Sequence, residues 1–313
     1  MKVLFELSGE HPTLPVSEIR TCLRACEMDA EELYHNGIFL AEVAGEAHWK
    51  KMARRLAMSF SINEVVGTTV EEFLQNIDIE GSFKVEGGTS ELRSILGGKI
   101  AGETGASVDL EKPDTIIRVF CGGTTYFCRE LGRIDRGQFE KRRASLRPFS
   151  VPTTLHPRMA RVMVNLSGVK EGETLLDPFC GAGGILIEGG LVGARVAGIE
   201  VKKELISGCK KNLEHFHIKK YALHHGDMRR VPFPEVDAVA TDFPYGRASH
   251  LSDVRETLYD EALKKIAACG VRAVIGLPSL EFRKIVQRYF DIEEIHCARV
   301  HRSLMRFFYV LRP

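Results

Sequence analysis

The stretch Leu175-Leu176-Asp177-Pro178-Phe179-Cys180-Gly181-Ala182-Gly183-Gly184 decides the fold of the second half of the chain. An apolar run ends in an acid, a turn of small residues follows, and Ile185–Leu191 reads as a helix. The same alternation continues downstream. Ala194–Ile199 reads as a strand closed by Glu200, Glu204–His215 as a helix, and Leu223–His225 as a strand ended by Gly226-Asp227-Met228. Val236–Ala240 and Ala273–Leu277 read as a fourth and a fifth strand, and Ile292–Val300 with Met305–Leu311 as a terminal antiparallel pair. The pattern predicts an α/β fold, a doubly wound and mostly parallel Rossmann-like sheet with a C-terminal antiparallel hairpin, over residues 153–313.

Sheets of this kind bind ligands at the carboxyl ends of their strands, near the point where strand order reverses. Small residues at Gly181, Ala182 and Gly183 let backbone come close to a ligand. Asp177 can meet an ammonium group. Glu200 lies 23 residues further on and can accept both hydroxyls of a ribose. Asp227 can accept from an adenine amine, with Met228 packed beside the ring. A pyrophosphate next to the Asp177 carboxylate would be repelled, and G-x-G-x-x-G is replaced by D-P-F-C-G-A-G-G. The cofactor expected is therefore S-adenosyl-L-methionine, held by Thr154, Asp177, Pro178, Phe179, Cys180, Gly181, Ala182, Gly183, Glu200, Val201, Asp227, Met228 and Asp242. Cys180 reads as a small turn residue rather than a nucleophile, and Glu200 or Asp227 as a plain helix cap is the bland alternative.

The fourth strand runs into Thr241-Asp242-Phe243-Pro244-Tyr245-Gly246-Arg247. Asp242–Tyr245 resembles the D/N-P-P-Y motif of methyltransferases that act on exocyclic amines, with Phe243 in place of the first proline. Such an amine is a poor nucleophile because its lone pair is delocalised into the ring. The resemblance implies a catalytic set of Asp242, Phe243, Pro244 and Tyr245: the Asp242 carboxylate and the Phe243 carbonyl accept the two N–H groups, and Tyr245 stacks on an extruded base. Phe243 puts the shape of the turn and of the base pocket in question. Arg247 is placed near RNA or substrate, and His250 and His301 are given no role.

The first half reads differently. Strand Lys2–Ser8, helix Pro15–Met28, a hairpin Glu31–His35/Ile38–Val43 around Asn36-Gly37 with a type I′ signal, helix His48–Met58 and strand Ser59–Thr69 make a β-α-β-β-α-β, ferredoxin-like unit. A second module follows: Val70–Asn76, strand Gly81–Glu86, a helix Glu91–Ala101 capped by Ser90, and strands Val108–Leu110, Asp114–Phe120 and Thr124–Cys128. This ordering, with TIIRVF at Thr115–Phe120 and then TTYFCREL, resembles a THUMP domain, a family found in enzymes that modify RNA. The expected division is a ferredoxin-like domain 1–60, a THUMP domain 61–131, a basic linker 132–152 and the methyltransferase domain 153–313.

Charge is unevenly spread. Net charge is −8 over residues 1–128, +6 over 129–161 and +3 over 162–313. Local positive charge, not the total of +1, governs grip on a polyanion. Arg133, Arg136, Lys141, Arg142, Arg143, Arg147 and Arg158, with Arg161, are the candidate RNA-phosphate contacts; a solvated connector is the alternative reading. Eight scattered cysteines lack a CxxC pair, so no metal is expected. No apolar run reaches a membrane span and the N-terminus lacks a secretory pattern, so a cytoplasmic location is expected; a monomer is expected as well. Only eight Asn and Gln residues lean the composition towards a thermophile.

Together these features resemble the archaeal tRNA guanine-N2 methyltransferase family that acts at guanosine 10. That resemblance implies N2-methyl- and then N2,N2-dimethylguanosine as products and tRNA as partner. Three rivals stay open: a THUMP methyltransferase of another tRNA or rRNA guanine, an adenine-N6 methyltransferase, and an RNA-binding protein with an inactive catalytic domain.

Overall fold

The computed structural model describes residues 1–45, 48–151, 154–244, 252–301 and 304–313, the side chains of 252–255, 300, 301 and 304 excepted. The first 135 residues run β1 (Lys2–Leu7), α1 (Leu14–Ala25), β2 (Asp29–His35), β3 (Ile38–Ala44), α2 (Trp49–Arg55), β4 (Ser59–Gly67), α3 (Val70–Asn76), β5 (Ser82–Gly87), α4 (Ser90–Thr104), β6 (Ser107–Val108), β7 (Thr115–Phe120) and β8 (Tyr126–Arg133). From Arg136 follow α5 (Gly137–Glu140), α6 (Pro157–Leu166), β9 (Thr174–Asp177), α7 (Gly184–Leu191), β10 (Arg195–Glu200), α8 (Lys203–His215), β11 (Tyr221–His225), β12 (Ala238–Asp242), α9 (Ser252–Ala267), β13 (Ala273–Leu277), α10 (Arg283–Val286), β14 (Asp291–His301) and β15 (Leu304–Arg312).

Two compact units result. One holds residues 1–9, 27–54 and 59–135, the other 10–26, 55–58 and 136–313. The first is built on one eight-stranded sheet, β2-β3-β1-β4-β8-β7-β5-β6. Its first four strands have the ferredoxin-like order. The expected boundary after residue 60 falls inside β4, which pairs with β1 on one side and β8 on the other. A nine-residue strand with two bonded edges does not end a domain, so the two N-terminal modules share a sheet. Two local expectations are corrected. Only Gly37 of the Asn36-Gly37 pair takes a positive φ, and a type I′ turn needs two. Thr89, not Ser90, caps α4: its hydroxyl accepts from Leu92 N at 3.1 Å.

In the second unit the sheet order is β11-β10-β9-β12-β13-β15-β14, with every strand running the same way except β15, which is antiparallel to both its neighbours, β13 and β14. Period-2 alternation sorts its side chains between two cores. Leu175, Ala238, Ala240 and Val274 face one apolar cluster; Leu176, Val239, Ala273 and Ile275 face the other. Burial on both faces explains why these strands read as continuous apolar runs. The order reverses between β9 and β12, which puts the crevice at their carboxyl ends.

Within 132–151 several residues are anchored by packing while others stay exposed. Gly132 and Arg133 belong to β8, Phe139 is fully buried, and Phe149 lies against Gly208, where a Cβ would collide with its ring. Among the described residues no helix is long and apolar enough to cross a membrane.

Candidate active site

Four carboxylates end neighbouring strands of the second unit: Asp177 on β9, Glu200 on β10, Asp242 on β12, and Asp227 just past β11. All four line one cavity of about 530 Å³. Each strand delivers its acid there because the strand is locked in the sheet by its neighbours and the chain turns at the same edge.

Asp177 is buried, and its Oδ1 accepts from the Thr241 hydroxyl at 2.7 Å and from Phe179 N at 3.1 Å. Burial nevertheless pushes its carboxyl up to about 7, with the Asp242 and Glu200 charges adding to the shift. Glu200 accepts from Gly181 N at 3.1 Å and Lys202 N at 2.9 Å. These bonds tie the small-residue turn to the second strand and still leave lone pairs for a diol. Asp227 is held by Arg229, whose Nη2 lies 2.6 Å from Oδ2, and that bond draws its carboxyl down to about 2.

Asp242 stands at the end of β12 with its side chain 15% exposed. Arg306 Nε on β15 lies 3.2 Å from Oδ1 and 3.5 Å from Oδ2. Burial raises the Asp242 carboxyl to about 7 even so; the arginine opposes the rise. On β13 the slot for Oδ1 exists because residue 276 is glycine, since a Cβ there would strike that oxygen.

Phe243 lines the cavity, and its ring packs into the apolar core. The ring is fully buried in an aromatic row, 5.0 Å from Phe179 and 5.0 Å from Tyr259, and Phe243 N donates to Gly276 O at 3.0 Å. The Tyr259 hydroxyl donates to Pro244 O at 2.8 Å. The Asp242–Pro244 backbone is thus fixed by the neighbouring strand and by α9, so an aromatic ring replaces the stiffness of a second proline. Tyr245, Arg247 and His250 lie outside the described residues, as does the His301 side chain.

Of the other residues expected at the cofactor, Thr154, Pro178, Phe179, Cys180, Ala182, Val201 and Met228 line the cavity. Gly181 takes φ +51° with open space beside its Cα. Gly183 is different: it caps α7 at φ +83°, and a Cβ there would meet Cys209 Sγ, so it serves helix packing. The sequence reading missed Leu155, Ile185, Leu205, Leu258, Lys202 and Arg229 in the wall. It also missed Asn212, fully buried on α8, whose Nδ2 donates at 2.9 Å to both Phe149 O and Ala182 O. A lone amide on the apolar face of an amphipathic helix was the available signal.

The arginine candidates divide. Arg142 and Arg147 are buried, and Arg161 is 1% exposed; Arg142 and Arg161 reach Glu188 at 2.8 Å each. Burial removes all three as phosphate contacts, a correction to the sequence reading. Arg133 pairs with Glu86 and Glu130, Arg136 and Arg158 with Glu10, and Arg143 with Glu140, all nearer the surface; Lys141 is exposed.

The cavity fits the methyl donor. Its wall carries four acids against Lys202 and Arg229, with a diol acceptor at Glu200 and an open glycine cradle at Gly181. That set attracts a sulfonium and an ammonium, and repels a pyrophosphate.

Comparison with known proteins agrees. Residues 144–307 match the "RMKL-like, methyltransferase domain" family. The chain is 36% identical, over 98% of its own length and 98% of the relative's, to a tRNA (guanine(10)-N2)-dimethyltransferase of Methanothermobacter thermautotrophicus. It is 37% identical to the protein of the same name from Pyrococcus abyssi, over 70% of this chain and 68% of that one. Among solved structures, TrmN from Thermus thermophilus aligns over all of both chains with a TM-score of 0.52 at 19% identity, a likeness of fold.

Proposed function

The chain belongs to the tRNA (guanine(10)-N2)-dimethyltransferase family, and from that premise we propose that it transfers methyl groups from S-adenosylmethionine to the exocyclic N2 of guanosine 10 in tRNA. The products are N2-methyl- and then N2,N2-dimethylguanosine. The observation that carries this reading is the Asp242 carboxylate, held at the end of β12 in the wall that Asp177, Glu200 and Asp227 also line.

When bound, S-adenosylmethionine supplies an electrophilic methyl group. Asp177, Glu200 and Asp227 with the Gly181 turn are the residues that would hold it. Asp242 accepts one N–H of the guanine amine and the Phe243 carbonyl accepts the other, which draws the lone pair out of conjugation with the ring. The carboxylate also faces the positive charge that grows on nitrogen and is at hand for its proton. Tyr245 is assigned to stacking on the extruded base. The first unit is assigned to tRNA binding as a THUMP-type module. Arg133, Arg136, Lys141, Arg143 and Arg158 are assigned to phosphates. A cytoplasmic, monomeric enzyme needing no metal completes the proposal.

Methyl transfer from labelled S-adenosylmethionine to tRNA, rRNA and DNA in parallel, with nucleoside analysis, tests it. N2-methylated guanosine in tRNA is the expected product; N6-methyladenosine as the sole product would overturn the guanine assignment. Glu200→Ala should weaken S-adenosylmethionine binding about 10- to 100-fold by calorimetry, the loss of charged hydrogen bonds of about 1.5–3 kcal/mol. An unchanged dissociation constant would remove Glu200 from the cofactor site.

A further inference from the structure

We propose that Arg306 is the positioning residue of this site: from β15 it holds the Asp242 carboxylate ionised and fixed in the slot that Gly276 leaves open on β13. The inference rests on the proposed reading of Asp242 as the amine acceptor and extends it to a residue outside the motif, supplied from two strands away in the sheet.

Three observations converge. Arg306 is 1% exposed and sits inside the apolar run Leu304-Met305 and Phe307-Phe308-Tyr309-Val310-Leu311, which ends at Arg312. Its Nε stands 3.2 and 3.5 Å from the two Asp242 oxygens, close to both rather than aimed at one. Residue 276 has no Cβ at the point where Oδ1 sits. Sheet register accounts for the arrangement: β13 lies between β12 and β15, with Asp242 opposite Gly276 and Gly276 opposite Phe308. The missing side chain at 276 lets the guanidinium reach across the intervening strand.

A buried ion pair is a poor way to stabilise a fold, since an apolar pair of the same volume avoids the desolvation cost. Its use here is chemical. Among the described residues, the charged groups that bear on Asp242 are Arg306 from β15 and, through the repulsion between the two acids, Asp177 from β9. Burial and Asp177 favour the protonated acid, which would offer a donor where the amine needs an acceptor. Arg306 is the group that opposes them.

The test uses the full chain with Arg306→Met, Arg306→Gln and Arg306→Lys. Carboxyl-carbon NMR with labelled aspartate, assigned through the signal lost in Asp242→Asn, follows the Asp242 titration. Both neutral variants should move its midpoint up by about one pH unit or more, while lysine, which keeps the charge, should restore most of it. Single-turnover rates at saturating tRNA and cofactor should fall about tenfold near neutrality in the neutral variants and recover towards wild type as pH is raised about two units. Arg306→Gln keeps a donor beside the carboxylate and serves where the methionine variant does not fold. An unmoved Asp242 midpoint in the neutral variants, or a pH–rate profile that overlays wild type, would overturn the proposal. The titration needs no methyl transfer, so it judges Arg306 even where product analysis rejects the guanine reading.

Discussion

Asp242→Asn is expected to lower the rate of tRNA methylation about a thousandfold and to change the dissociation constant of S-adenosylmethionine by less than about threefold. The substitution keeps the size of the side chain and removes its charge. The amine then loses an ionised acceptor, and the cationic nitrogen loses its electrostatic partner at the moment charge develops. Cofactor affinity is spared because the Asp177 and Glu200 contacts, on β9 and β10, do not run through residue 242. Wild-type-like turnover would remove Asp242 from the chemistry.

The same residue sets a pH dependence. Burial raises both Asp242 and Asp177 to about 7. The form required for catalysis is the ionised one, and its fraction falls as pH drops. The rate constant for free enzyme and cofactor should therefore decline on the acid side of neutrality, about tenfold per pH unit at the limit for one group and more steeply for two. The limb belongs to the coupled pair, so its midpoint is an apparent value for both carboxyls. In Asp242→Asn the residual activity should show a shallower limb from Asp177 alone. A flat profile from pH 6 to 8 in the wild-type enzyme would contradict ionisation of either acid in that range.

The strand-end acids were legible in the sequence for a plain reason. Asp177, Glu200 and Asp242 each close an apolar run, Asp227 follows the Gly226 turn after a short strand, and a parallel sheet presents all such ends at one edge. The turn at Gly181 was legible through its small residues. What escaped are contacts that join residues far apart in the chain. Nothing near Phe243 says that Tyr259 and Phe179 enclose its ring, so its departure from the motif was read only as a question about the shape of the turn and of the base pocket. Nothing near Arg306 names Asp242, 64 positions earlier. The basic segment misled for the same reason. Counting charge over 129–161 gives +6, but charge density does not reveal that acids at 10, 86 and 188 are spent on it. One signal was present and unused: a lone acid within an apolar helix, or a lone cation within an apolar strand, announces a buried partner. Glu188 in Gly184–Leu191 and Arg306 in Leu304–Leu311 are both of this kind.

Glu188→Ala should be among the most destabilising single substitutions in the second unit, by about 3–5 kcal/mol. Glu188 is fully buried on α7. Arg142 Nε and Nη2 donate to its two oxygens at 2.8 and 3.0 Å, and Arg161 Nη2 lies 2.8 Å away. Both guanidinium groups also lie over the Phe139 ring, at 5.0 and 5.7 Å. Removing the carboxylate leaves two cations side by side in the interior with no anion between them. Burial already makes the charge on Arg161 harder to hold, and Glu188 is the leading influence that offsets it. At a few degrees per kcal/mol for a unit of this size, the melting temperature should fall about 8–15 °C. Glu188→Gln, which keeps a hydrogen-bond acceptor but not the charge, should fall part of the way. A triple variant, Arg142→Leu, Arg161→Met and Glu188→Leu, should recover most of the loss, because it removes the unpaired charges along with the pair. A loss below about 1 kcal/mol in Glu188→Ala would mean that water reaches these arginines as it reaches surface pairs. Arg142 and Arg161 would then return to the set of groups open to tRNA phosphates. The melting curve thus also decides which part of the basic segment holds the fold and which part meets RNA.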